Sequence, residues 1–130
     1  MMDWLTDSAS LVSVVDDDES VRESLPELLR QFGFHVEAFA SAEAFLASDA
    51  VSATSCLLLD IGMAGMSGPD LQQELKRRRQ TIPIVFITAN GDRTVRPSML
   101  ARGAVDCLTK PFSEAALLNA VRSALRPPYS

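Results

Sequence analysis

Cysteine, histidine, tryptophan and tyrosine are scarce in these 130 residues, at two, one, one and one, and each shortage removes a class of chemistry. Cys56 and Cys107 lie in separate apolar runs with no CxxC pair and no histidine beside them. That excludes a disulfide framework and a zinc ligand set, and leaves two buried free thiols in a reducing compartment as the expectation. The lone histidine, His35, sits inside an apolar run and is read as structural. No apolar run approaches the roughly 18 residues needed to cross a bilayer. The opening MMDWLTDSAS has neither the basic flank nor the apolar core of a signal segment. A cytoplasmic protein with no membrane partner is expected. Basic residues are in deficit, with a net charge of -5, so the overall charge does not favour DNA or anionic lipid. The basic run KRRR at 76–79 reads as a solvated helix end that complements the helix dipole. No GxGxxG follows the first apolar run, which excludes the dinucleotide fingerprint.

What is present is enough apolar sequence, 47%, to build one core. One domain is expected over residues 11–126, with 1–10 as a flexible lead-in and 127–130 as a tail or the start of a linker. Strand-length runs recur at LVSVV (11–15), FHVEAF (34–39), CLLL (56–59), IPIVFI (82–87) and VDCL (105–108). Several are apolar without alternation, as in strands covered on both faces of a parallel sheet. Between them lie segments with helical spacing. Val21, Leu25, Leu28, Leu29 and Phe32 share one face, and Leu117, Val121 and Leu125 share another. Shorter helices are predicted over 42–48, 69–79 and 95–102, with Ser41 and Ser113 as N-caps and Pro69 at a first helical position. Pro26 removes a bond from the first long helix, and the fourth helix is expected to begin near Pro97. Five repeats of strand then helix define an α/β, doubly wound, five-stranded parallel sheet.

The stretch CLLLDIGMAGMSG poses the functional question, because its apolar run ends on a single carboxylate, Asp60. A lone buried carboxylate is costly, so Asp60 needs partners. In an open parallel sheet the strand carboxyl ends share one edge. Asp16, Asp17 and Asp18 follow the first strand, Thr88 the fourth and Lys110 the fifth. Three converging carboxylates repel unless a hard divalent cation such as Mg²⁺ joins them. A carboxylate, a cation site, a lysine and a hydroxyl around an open space are the parts for phosphoryl transfer onto an aspartate.

The motifs VVDDDESVRESL, GFHVEAFASAEAFL, LLLDIGMAGMSG, IVFITANGD and RGAVDCLTKPF, in that order over residues 11–125, resemble the receiver domains of two-component response regulators, most closely the nitrogen-fixation regulator group. The resemblance implies the flavodoxin-like (β/α)5 strand order. It implies Asp60 as phosphoacceptor, and Asp16, Asp17, Asp60 and the backbone carbonyl of Gly62 as ligands of Mg²⁺, with Mn²⁺ as a substitute. Thr88 corresponds to the switch hydroxyl and Lys110, before a proline often joined by a cis peptide, to the family's lysine. Asp18 reads as a helix cap. Gly62 and Asn90 occupy the positions that govern access of water to the acyl phosphate. The implied partners are a sensor histidine kinase and a second copy, bound through the fourth helix, fifth strand and fifth helix. DNA enters only through an effector domain, and none is expected within this chain. The implied chemistry is self-phosphorylation and autodephosphorylation, not that of a conventional enzyme.

Four positions depart from the pattern. Ala64 replaces a usual proline, which predicts a mobile loop after Asp60. Cys107 stands where the family carries the rotating tyrosine or phenylalanine of its switch, Pro97 where the fourth helix is usually apolar, and Pro26 in the helix nearest the kinase. These departures keep open a pseudo-receiver that binds a partner without phosphorylation. An aspartyl-phosphate hydrolase of the haloacid dehalogenase type is the remaining alternative, but Gly62 stands where that class needs a second aspartate.

Overall fold

The computed structural model describes residues 10–89 and 91–126. The expectations for the lead-in, for the tail at 127–130 and for Asn90 fall outside the described residues, apart from Ser10. Five strands, β1 (Leu11–Val15), β2 (His35–Phe39), β3 (Thr54–Asp60), β4 (Ile84–Thr88) and β5 (Asp106–Thr109), form one parallel sheet in the order β2-β1-β3-β4-β5. Five helices alternate with them: α1 (Glu19–Gln31), α2 (Ala42–Leu46), α3 (Gly68–Arg77), α4 (Val95–Ala101) and α5 (Glu114–Leu125).

The unalternated apolar runs are explained by burial on both sides. Cys56 and Leu58 join the core beneath α1 and α5, with Leu25, Leu29, Leu117 and Val121. Leu57 and Leu59 face the opposite layer, with Phe45 of α2, Leu71 and Leu75 of α3 and Met99 of α4. Each fully buried leucine contributes about 1.5–3 kcal/mol. A single strand therefore serves two cores, and its last residue, Asp60, is delivered to the sheet's carboxyl edge.

The helices begin where the sequence supplies caps. Asp18 accepts from Ser20 N at 3.0 Å, Ser41 from Ala44 N at 3.0 Å and Ser113 from Ala116 N at 3.0 Å. Ser67 and Asp70 form a reciprocal capping box at the start of α3. Three of the boundaries that differ from expectation lie at prolines. Pro69 takes the second helical position, after Gly68. α4 begins at Val95, two residues ahead of Pro97. A proline in the first turn loses nothing, because N–H groups there have no intrahelical acceptor. β4 begins at Ile84, since Pro83 has no N–H to donate, although its carbonyl still accepts from Leu57. Pro26 lies inside α1, which continues through it to Gln31.

Candidate functional site

The strand order reverses between β1 and β3, because the chain leaves β1 toward β2 and leaves β3 toward β4. Such a switch point opens a crevice at the carboxyl edge. Asp16 follows β1 there and Asp60 ends β3. Oxygens of Asp16, Asp17 and Asp60 lie within 4.8 Å of one another. Asp16 is fully buried, Asp60 is 7% exposed and Asp17 faces solvent. Asp17 and Asp60 line a cleft together with Asp18, Ile61, Gly62, Thr88 and Lys110.

Asp16 is held at several atoms. Its backbone N–H donates to Phe39 O at 3.1 Å, and its Oδ1 accepts from Asp18 N at 2.9 Å. Lys110 Nζ stands 3.3 Å from its Oδ2, an ion-pair contact without hydrogen-bond geometry, so that oxygen lacks a hydrogen-bond donor among the described residues. A buried carboxylate oxygen in that condition, beside two other carboxylates, suits a hard cation. The donor set therefore fits a divalent ion of the Mg²⁺ type.

Asp60 carries the clearest electrostatic signature. Burial, followed by the charge of Asp16, pushes its carboxyl up to about 7, against the pull of Lys110 and of the Gly62 N–H. That N–H donates to Asp60 Oδ1 at 3.3 Å. Asp18 titrates below the ordinary carboxylate range because the Ser20 hydroxyl and N–H both bind it, as befits a cap.

Thr88, 5% exposed, ends β4, and Lys110 follows β5 with the Lys110–Pro111 peptide cis. Gly62 is exposed and has open space where a side chain would begin, so no second carboxylate stands two residues after Asp60. Cys107 does not join the cluster. It is 4% exposed among the core residues facing α2, α3 and α4, and its N–H donates to Asp106 Oδ1 at 2.7 Å. Burial raises both thiols, Cys56 to about 12, so neither is a ready thiolate. His35 is exposed at the opposite edge, where its N–H bonds Ser10 O.

Three supporting residues escaped the reading of the sequence. Arg22 Nη1 donates to the Asp16 carbonyl at 3.0 Å and fixes the turn that presents the acidic pair. Gly68 presses against the strand end, since a Cβ there would stand 2.5 Å from the Asp60 carbonyl oxygen. Glu43 Oε2 accepts from Met66 N at 3.1 Å and ties the loop after Asp60 to α2. None forms a sequence motif; only VR one turn into α1 and the spacing of Gly68 from Asp60 hint at them.

A doubly wound sheet with an acidic cluster and a lysine at its switch point is a donor set suited to a hard cation beside an anionic group. The comparison with known proteins makes the assignment specific. The chain matches the model of the response regulator receiver domain over residues 12–122, and it belongs to that family. It is 45% identical over 122 residues to the response regulator protein TodT of Pseudomonas putida, a match covering 94% of this chain and 54% of TodT. It thus spans about half the length of that relative. The structure of the response regulator StyR superposes with a TM-score of 0.82 at 48% identity, covering 90% of this chain and 59% of that one. FixJ-N superposes at 0.80 with 36% identity, covering 89% and 93%. The fold is that of receiver domains, five-stranded as the residue pattern predicts and flavodoxin-like as the family resemblance implies. No described helix is long and apolar enough to cross a membrane.

Proposed function

We infer that Asp60 is the phosphoacceptor of this receiver domain and takes its phosphoryl group from the phosphohistidine of a sensor kinase. One observation carries the reading: the buried, raised carboxyl of Asp60 meets Asp16 and Asp17 within 4.8 Å at the switch point, with Lys110 beside them. In the transfer, an Asp60 carboxylate oxygen attacks phosphorus in line, the new O–P bond forms, and the P–N bond to the histidine breaks. Lys110 and Thr88 contact the equatorial oxygens. Asp16, Asp17, Asp60 and the Gly62 carbonyl would hold Mg²⁺, or Mn²⁺ in its place. When bound, the ion offsets the charge gathered on the phosphoryl oxygens. The chain's own chemistry is this phosphorylation and the hydrolysis of the resulting acyl phosphate, with Gly62 and Asn90 setting the approach of water.

The receiver unit spans 11–126 and works in the cytoplasm, where its kinase presents the phosphohistidine. Its output is a change in the face formed by α4, β5 and α5, used for pairing two copies. Relatives named as transcriptional regulators, such as FixJ of Azorhizobium caulinodans, favour an output on DNA through an effector outside this chain. Cys107 favours a second reading, a partner-binding domain whose face does not switch, because a small buried thiol has no ring to rotate.

The test is intact mass after incubation with acetyl phosphate, with Mg²⁺ or with EDTA. A gain of one phosphoryl group only with Mg²⁺ is expected. No gain from acetyl phosphate, phosphoramidate or a panel of kinases would overturn the reading in favour of the phosphorylation-independent module.

A further inference from the structure

α4 is held in place by little of its own. It has seven residues, its N-cap Thr94 makes no side-chain cap bond, and only Met99 is buried. A helix so short has no independent stability, so its position is set by what grips it. Arg96 donates to Asp106 Oδ1 of β5 from Nε at 3.1 Å and Nη2 at 2.9 Å. At the other end, the carbonyl of Arg102 accepts from two residues of α3 one turn apart, Gln72 Nε2 at 3.0 Å and Lys76 Nζ at 3.0 Å.

Gln72 is 4% exposed, and its Oε1 finds no partner among the described residues. A buried, half-paired amide is a cost that a leucine of similar volume would avoid. Packing therefore does not account for it. Its distinctive contribution is the bond to Arg102.

The opposite end of α3 is seated on the site. Gly68 N donates to Ile61 O at 3.0 Å, and a Cβ at Gly68 would lie 2.5 Å from Asp60 O and 3.0 Å from Ile61 Cα. A side chain at Gly68 would have no room there, so the start of α3 sits directly on the backbone of Asp60. Leu71 and Leu75, both buried, keep the helix against the sheet.

We propose that α3 is a coupling element, with Gln72 and Lys76 as positioning residues that tie the C-terminus of α4 to the backbone of Asp60 by a route that does not pass through Cys107. The proposal rests on Asp60 being the phosphoacceptor. Where a ring at position 107 would report occupancy by its bulk, this chain has a thiol, and the polar grip on Arg102 carries the displacement instead. Coupling needs a discrete element that both sites bias, and α3 touches both.

Hydrogen exchange read by mass spectrometry tests this on the full chain, comparing wild type with Gln72→Leu, Lys76→Met and the double variant. Each is measured with and without acetyl phosphate and Mg²⁺, and intact mass gives the phosphoryl content of the same samples. Without donor, the peptide over 95–102 is expected to exchange about 3- to 10-fold faster in the double variant, while β1 and β3 stay unchanged. With donor, wild type changes its exchange over 95–102, and the double variant loses that change at equal phosphoryl content. A double variant with wild-type protection of α4, or with a full response at equal phosphoryl content, overturns the proposal. A wild type that gains no phosphoryl mass from acetyl phosphate, phosphoramidate or a panel of kinases refutes the role of Asp60 and the coupling with it, and the donor-free comparison still decides whether the pair holds α4.

Discussion

Replacing Asp60 with asparagine should make the metal-free protein more stable at alkaline pH. Burial and the charge of Asp16 raise the Asp60 carboxyl from 3.8 to about 7, so the folded state holds a proton that the unfolded chain has released. That contribution is complete below pH 3.8, declines as the pH climbs, and is gone above about 7. Above that window the ionised pair is a standing penalty. A rise of about 3 sets an unscreened ceiling near 4 kcal/mol, which solvent at the mouth of the cleft reduces to about 1–2 kcal/mol. Asparagine keeps the oxygen that accepts from Gly62 N and removes the charge. The Asn variant should therefore melt about 3–8 °C higher than wild type at pH 8 in EDTA, with the gap closing toward pH 4. Mg²⁺ at pH 8 should raise the wild type more than the variant, by joining the carboxylates that otherwise repel. Equal or lower stability of Asp60→Asn at pH 8 would refute the electrostatic account.

Three further outcomes follow from single side chains. Gly68→Ala forces a Cβ against the Asp60 carbonyl and should cost about 1–3 kcal/mol in urea unfolding, an effect contradicted by an unchanged midpoint. Gly62→Arg meets open space, so the fold should tolerate it while the longer side chain screens the acyl phosphate and prolongs its life; equal rates of phosphate release in the two proteins would count against that role. Phosphorylated Cys107→Phe should pair more strongly than phosphorylated wild type on gel filtration, and indistinguishable profiles would show that the thiol does not weaken the switch.

The site was legible because chemistry and topology coincide. Asp16, Asp60, Thr88 and Lys110 each sit at a strand's carboxyl end, and a parallel sheet gathers those ends whatever the distance between them in sequence. The two-sided burial of CLLL and the serine caps were legible because they depend on near neighbours. The start of α4 was not, since a proline marks a helix beginning only to within its first turn. The close seat of Gly68 on Asp60 and the bonds from Gln72 and Lys76 to Arg102 were hidden for another reason. They join elements whose separation is fixed only once the sheet and both helix layers are assembled, and no local pattern encodes them. Expectation of a loose loop after Asp60 rested on one missing proline, whereas the fold supplies an anchor from Glu43, far off in sequence.

The central claim, that Asp60 receives the phosphoryl group, is tested most directly by trapping it. After acetyl phosphate and Mg²⁺, borohydride reduces an acyl phosphate to the alcohol, and peptide mass spectrometry locates the resulting homoserine. The account predicts homoserine at position 60 alone, abolished by EDTA. Label at Asp16 or Asp17, or phosphorylation that survives in Asp60→Asn, would contradict it.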